Sequence, residues 1–178
     1  MLTLCRTSAA LILVLCACSV DSASAPTPTT QVRPTGLRAE VSVPIGGSCE
    51  TSLAAPPIVT PPILTQNDVG VCQLAHLGRV SVYDTQQINL ATGTETAQVT
   101  FTAANGDELR LTNVGANERM GPTTIRFTGT MTVVGGTGRF ASATGQITAD
   151  GTADLVSGQG WITLDGSIAY DASNRSGN

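Results

Sequence analysis

Few residues in this chain have the type and spacing to do chemistry. Asp84 and Gln86 lie two residues apart within an apolar alternation formed by Val80, Val82, Ile88 and Leu90. In an extended segment alternate side chains share one face, so Asp84 and Gln86 are expected to point where that apolar set points, into the protein. Pairing Leu90 with Ala97 brings Asp84 level with Ala103, and hence close to Asp107 beside the Asn105-Gly106 turn. Carboxyls and an amide at one mouth of an apolar enclosure could hold the polar end of a small apolar ligand. Burial, with a like charge nearby, would raise the Asp84 pKa toward a neutral carboxyl able to donate a hydrogen bond. The competing role for these residues is to satisfy backbone groups at a bulge or rim. His76 reads as a solvated or capping residue of the same rim, and Arg79 and Arg139 as surface charges. Inward Asn113 is expected toward the other end. No nucleophile, base and orienting group occur together at a recognisable spacing, so no catalytic residue is assigned.

The cysteines are the second group. Arg6 precedes an apolar run over residues 9–17 that is too short to span a bilayer as a helix, the pattern of a signal peptide. Leu15-Cys16-Ala17-Cys18 resembles the lipobox of bacterial lipoproteins, in which cleavage leaves an acylated cysteine first, here Cys18. The alternative cut after Ala23-Ser24-Ala25 would place Pro26 directly behind it, an unfavourable position. The lipobox therefore implies a signal peptide over residues 1–17 and a lipid-anchored, extracytoplasmic protein of a bacterial cell envelope. Residues 18–36 are mostly Ser, Thr, Pro and Ala with little to bury, and read as a disordered tether. The two thiols left in the mature chain, Cys49 and Cys72, are expected to form a disulfide in that compartment. A reactive pair would need a basic or histidine-rich neighbourhood, of which only His76 is present. Between the cysteines, Pro56-Pro57 and Pro61-Pro62 argue against helix and central strand, so residues 44–72 are expected to be an irregular flap closed by the disulfide.

Composition removes whole classes of function. A formal net charge of −4 and no lysine argue against nucleic acid, whose affinity comes mainly from clustered basic groups. A single histidine and no Cys-x-x-Cys pair argue against zinc, and no other metal or cofactor is expected.

The elements that must position these residues are strands. Alternation marks a strand from residue 37 to 43 and another from 78 to 90, then strands at 96–103, 107–114, 123–134, 141–148, 152–157 and 160–170. Eight strands with short connections favour antiparallel neighbours closing as an up-and-down barrel over residues 37–178. Turn lengths can be tested against the faces, because a slip of one residue inverts every side chain. A three-residue loop at Ala104-Asn105-Gly106 sets Phe101 against Leu109 and Val99 against Leu111. A similar loop at Ala149-Asp150-Gly151 sets Ile147 against Ala153, and a two-residue loop at Gly158-Gln159 sets Leu155 against Ile162. That last register places Trp161 across from Val156, both outward. The pair reads either as a partly covered tryptophan or as an interface in a homo-oligomer.

Gly135-Gly136-Thr137-Gly138-Arg139-Phe140-Ala141-x-Ala143-x-Gly145 joins two of the longest alternating segments, with glycines 135, 136 and 138 expected to take positive φ. Together with Gly166-Ser167-Ile168-Ala169-Tyr170, His76-Leu77-Gly78-Arg79 and residues 102–107, this stretch resembles the barrel superfamily of plant allene oxide cyclases and dirigent proteins. Within it the chain is most similar to bacterial secreted proteins of unknown function. The resemblance spans roughly residues 71–170 and implies the all-β barrel. Its motifs are turn glycines and core positions, which many activities share, so no family residue is carried over.

Three functions fit these observations. The first is a non-enzymatic binding or interaction module on the envelope. The second is an isomerase- or cyclase-like enzyme acting on a small apolar molecule inside the barrel, and the third is a purely structural oligomeric surface protein. The interior separates them: a filled core excludes the enzyme, and an open cavity with converging polar groups keeps it.

Overall fold

Period-two alternation of Val, Ile, Leu and Phe with Thr, Ser and charged residues runs through nearly every segment, and each such segment is a strand. The structure, a computed structural model, describes residues 40–171, with side chains from residue 42. The expected signal peptide, the tether and Cys18 lie outside the described residues. The strands are β1 (Glu40–Leu53), β2 (Ile58–Thr60), β3 (Ile63–Leu74), β4 (Gly78–Asn89), β5 (Thr94–Thr102), β6 (Glu108–Arg119), β7 (Thr124–Gly136), β8 (Thr144–Asp154) and β9 (Gln159–Asp171), with a single 3₁₀ turn, Gly138–Phe140, between β7 and β8. Antiparallel pairing follows chain order from β3 to β9, and β1 pairs with β9 on one side and β3 on the other. This closes an eight-stranded up-and-down barrel from β1 and β3 to β9, leaving β2 as a short addition beside the first residues of β3. The described residues all belong to one compact unit. Closure leaves little free edge, and the inward side chains of all eight strands share one core.

The expected number of strands is correct, but its make-up is not. Residues 44–72 are no irregular flap: β1 runs through Pro44 to Leu53, and β3 is a full wall strand of 12 residues. The four prolines sit in or beside the connections around β2, where no ladder hydrogen bond is required of them. Cys49 and Cys72 stand directly opposite in the β1–β3 ladder, joined by a disulfide with the α-carbons 3.9 Å apart. The bridge thus crosses the seam where the barrel closes, and is the mark of an extracytoplasmic protein.

Strands expected at 141–148 and 152–157 are one strand, β8. Pairing with β7 overrides the turn signal of Asp150-Gly151: Asp150 points outward to accept a 3.0 Å hydrogen bond from Arg126 Nε, and Gly151 lies opposite Phe127. A β-carbon at Gly151 would stand 2.5 Å from the Phe127 ring, so this glycine provides a close approach instead of a reversal. The β8–β9 register shifts accordingly. Ile162 faces Gly151, and Trp161 faces Thr152. The expected Trp161–Val156 pair does not form, because Val156 lies in the turn.

Other registers are as expected. Val99 pairs with Leu111 and Phe101 with Leu109, around a turn in which Gly106 has φ 85°. In the 135–138 stretch Gly135 and Gly138 take positive φ, whereas Gly136 instead lets the Glu108 carbonyl approach closely.

The barrel has two unlike ends. At one lie the β3–β4 and β5–β6 turns and the 3₁₀ turn, with Phe140 folded inward, 1 % exposed and edge-on to Tyr170 at a ring separation of 5.3 Å. Leu74, Leu77, Phe101 and Leu109 fill the same end, which we call the plugged end. At the other, the open end, lie residues 54–62 and the β4–β5, β6–β7 and β8–β9 turns.

Candidate functional site

Inward positions on β3, β4, β5 and β6 change from apolar to polar as the strands approach the open end. On β4, Val80 and Val82 are followed by Asp84 and Gln86 on the same face, as expected, and Asp84 is buried. Asp84 pairs with Asp68 of β3 and with Val99 of β5, not with Ala103. The expected Leu90–Ala97 register fails because the Asn89 side chain and carbonyl cap a tight turn over residues 90–93, with Asn89 Oδ1 2.9 Å from the Ala91 N–H. Pairing therefore starts at Ile88 with Glu95. A slip by an even number of residues preserves the faces and moves the level.

That change of level decides the composition of the site. Asp107 lies at the plugged end, accepting a 2.8 Å hydrogen bond from Asn105 Nδ2 and lying 3.8 Å from Arg139 Nε. Arg139 in turn covers the Phe140 ring at 4.6 Å. Asp107 is thus a brace of the plug and does not share a mouth with Asp84. His76 is an exposed residue of the β3–β4 turn at that same plugged end, with φ 63°. Asn113, expected far from the site, joins it: its Nδ2 donates to Glu95 Oε1 at 2.8 Å.

The side chains assembled around Asp84 form a carboxyl and amide network. Gln86 Nε2 donates to Asp68 Oδ2 at 2.8 Å and lies 3.2 Å from both carboxylate oxygens of Asp84. Gln66 Nε2 donates to Asp68 Oδ2 at 3.0 Å. Glu95 accepts a second bond from Asn117 Nδ2, at 2.8 Å. Asp68, Glu95, Gln66 and Asn117 are missed from the sequence for three reasons, the first being that β6 runs on to Arg119, past the end expected at 114, and so carries Asn117. The prolines hid β3, and Glu95 fell one residue before the strand expected from position 96. The signal was parity: once Cys72 faces inward, Asp68 and Gln66 must follow, and Glu95 shares parity with Ala97, Val99 and Phe101.

Burial and mutual repulsion set the electrostatics. The Asp84 carboxyl is pushed up to about 7, chiefly by burial, then by the charge of Asp68 and to a smaller extent Glu95, while the Gln86 amide and the Asp68 backbone oppose the shift. Asp68 is raised by burial against the Gln66 hydrogen bond. Glu95 is raised by burial and, less, by Asp68, against its two asparagines. Near neutral pH Asp84 therefore exists in both forms, able to donate a hydrogen bond or accept one.

Gln66, Asp68, Asp84, Gln86 and Asn117 stand at the floor of a cavity of about 260 Å³ that opens at the open end and is walled by Leu53, Pro57, Leu64, Ile125, Phe127 and Ile162. Asp84, Gln86, Phe127 and Ile162 also line a smaller space of about 40 Å³ on the core side. Neither lining contains Arg, Lys or His. Among the described residues no group of three or more His, Cys, Asp and Glu is placed to hold a metal ion. The arrangement can seat an apolar body and engage one polar head, which a carboxyl of intermediate pKa could protonate or deprotonate.

Comparison with known proteins supports the fold. No family model matches the sequence, and no curated protein matches it. Among solved structures, a pterocarpan synthase dirigent protein superimposes with a TM-score of 0.51 over 83 % of this chain and 96 % of its own, at 16 % sequence identity. The fold is therefore the dirigent-like eight-stranded barrel.

Proposed function

We propose that this dirigent-like barrel is a binding protein of a bacterial cell envelope, lipid-anchored through Cys18, that takes up a small, mainly apolar molecule through its open end. The carrying observation is the cavity of about 260 Å³ whose apolar walls end on the Asp68, Asp84 and Gln86 cluster. A void of about 150 Å³ holds benzene, so the space suits a molecule of one to two rings. Because every ionisable group in its lining is an acid, the polar head of the ligand is neutral or cationic and not anionic. 1-Naphthylamine, an uncharged two-ring amine that brightens in dry surroundings, tests the reading. Its fluorescence should rise on binding, fall with Leu64→Trp, which fills the cavity, and weaken with Asp84→Asn. No rise with the unaltered barrel ends the proposal. Mass spectrometry of the mature N-terminus tests the anchor, and an unmodified chain starting at Pro26 removes it.

A second reading, an isomerase- or cyclase-like enzyme, draws on Asp84 alone, because a carboxyl at about 7 suits general acid–base work. It requires turnover that Asp84→Asn abolishes while probe binding survives.

A further inference from the structure

The four connections at the open end have no charged residue of their own: Ala54-Ala55-Pro56-Pro57-Ile58-Val59-Thr60-Pro61-Pro62, Leu90-Ala91-Thr92-Gly93, Met120-Gly121-Pro122-Thr123 and Leu155-Val156-Ser157-Gly158. The flanking charges Arg119 and Asp154 are turned onto the backbone, Arg119 Nη2 donating to Pro122 O at 3.2 Å and Asp154 Oδ1 accepting from the Val156 and Ser157 N–H groups. They carry six large apolar side chains that face solvent, Ile58, Val59, Leu90, Met120, Leu155 and Val156, with Val156 80 % exposed and Ile58 69 %. The plugged-end connections carry His76, Asp107 and Arg139 instead. Isolated exposed apolar residues need no explanation, but a set of six gathered on one rim does.

Backbone hydrogen bonds tie each of the four connections to a neighbouring connection or strand end around the rim. Leu53 N donates to Gly158 O at 3.2 Å, Leu155 N to Thr123 O at 2.7 Å, Asn117 N to Gly93 O at 2.7 Å, and Leu90 N to Pro62 O at 2.8 Å. The apolar side chains therefore stand on a built crown around the cavity mouth. Two of its few hydroxyls are engaged locally, Thr92 with Thr94 and Ser157 with Asp154.

We propose that this crown is a membrane-docking surface that inserts into the apolar margin of a lipid bilayer. Three observations choose a bilayer over a protein. A specific protein contact combines an apolar centre with a polar rim and regular hydrogen bonds, and the loops have few side-chain groups to supply them, the flanking Arg119 and Asp154 being engaged with the loops themselves. A protein seated on the crown would seal the cavity, whereas acyl chains meeting the mouth are continuous with its apolar wall through Leu53, Pro57 and Leu155. The chain has a formal net charge of −4 and no lysine, so the docking is hydrophobic and needs no anionic headgroup. The ligand then passes between bilayer and barrel without crossing water. Docking rests on the crown alone, and stands or falls separately from ligand uptake.

The test is flotation of the oxidised barrel, produced as residues 37–178 so as to contain every described strand and the whole core, with phosphatidylcholine vesicles. The barrel should float with neutral vesicles equally at low and high salt. Ile58→Ser combined with Val156→Ser should weaken vesicle binding about tenfold or more, while Val114→Ser on the outer wall should leave it unchanged. Circular dichroism confirms that each variant is folded, and 1-naphthylamine uptake should persist in the double variant. The inference fails if the barrel does not float, if the double variant floats as well as the parent, or if binding needs anionic lipid and is lost in salt. It also fails if light scattering shows the crown buried in a dimer that the double variant dissolves.

Discussion

The two ends of the barrel use the same strands to opposite purposes. At the plugged end the chain returns through the 3₁₀ turn, drives Phe140 into the core and braces it with Arg139 and Asp107. At the open end the connections run across the rim and, with Pro57 and Leu155, line the mouth without filling it, so the strands enclose a cavity over a polar floor. Stability is concentrated where side chains interlock. Function is expected where they do not, since a site that must admit a ligand cannot be filled by its own core.

The largest effect should come from the plug. Phe140→Ala is expected to cost about 3–5 kcal/mol, the usual cost of truncating a fully buried aromatic. Urea denaturation measures it, and a loss under about 1 kcal/mol would show that the end is not packed as described.

Removing the seam comes next. Cys49→Ala with Cys72→Ala frees a loop closed over a sequence separation of 23 and should cost about 3.4 kcal/mol in the chain-entropy account. If reduction of the parent leaves its urea midpoint in place, the seam is held by strand pairing alone.

The polar floor should show itself as a pH dependence of stability. Asp84 is raised to about 7 from an ordinary value of 3.8, so between these values the folded chain holds a proton that the unfolded chain has released. Folding stability from this group is complete below about pH 4 and is lost as pH rises through about 7, a fall on the order of 4 kcal/mol. Asp68 and Glu95 are shifted in the same direction and add to the slope. Stability measured from pH 4 to pH 8 should fall, and Asp84→Asn should flatten most of the curve. A parent barrel that becomes more stable over that range would contradict the buried cluster.

The smallest effect belongs to the crown. Val156→Ser removes an exposed side chain with no core neighbours to lose, and should change stability by less than about 0.5 kcal/mol. A loss comparable to that of Phe140→Ala would mean that the open end is also packed, erasing the contrast between the ends.

The architecture was legible from the chain because alternation is a local property. Val80, Val82, Val99, Phe101, Leu109 and Leu111 declare their face within a few residues, and the Asn105-Gly106 turn transmits that face to the next strand. Asp84 and Gln86 were readable as inward for the same reason, and Cys49 with Cys72 as a pair from the compartment and the thiols remaining. Level along the barrel is a different quantity. Whether Asp84 stands beside Asp107 or Asp68 depends on where the β4–β5 turn begins, and the Asn89 cap settles that through hydrogen bonds invisible to periodicity. Asp150-Gly151 has the composition of a turn, and only pairing with β7 across the Phe127 ring makes it part of a strand. The prolines concealed β3 because a local rule against proline in strands says nothing of the 12 residues that follow. The chain by itself thus determined the faces and the number of strands, which depend on neighbours in sequence. The carboxyl cluster, the plug and the apolar crown arise from residues far apart in sequence, and only closure of the barrel brought them together.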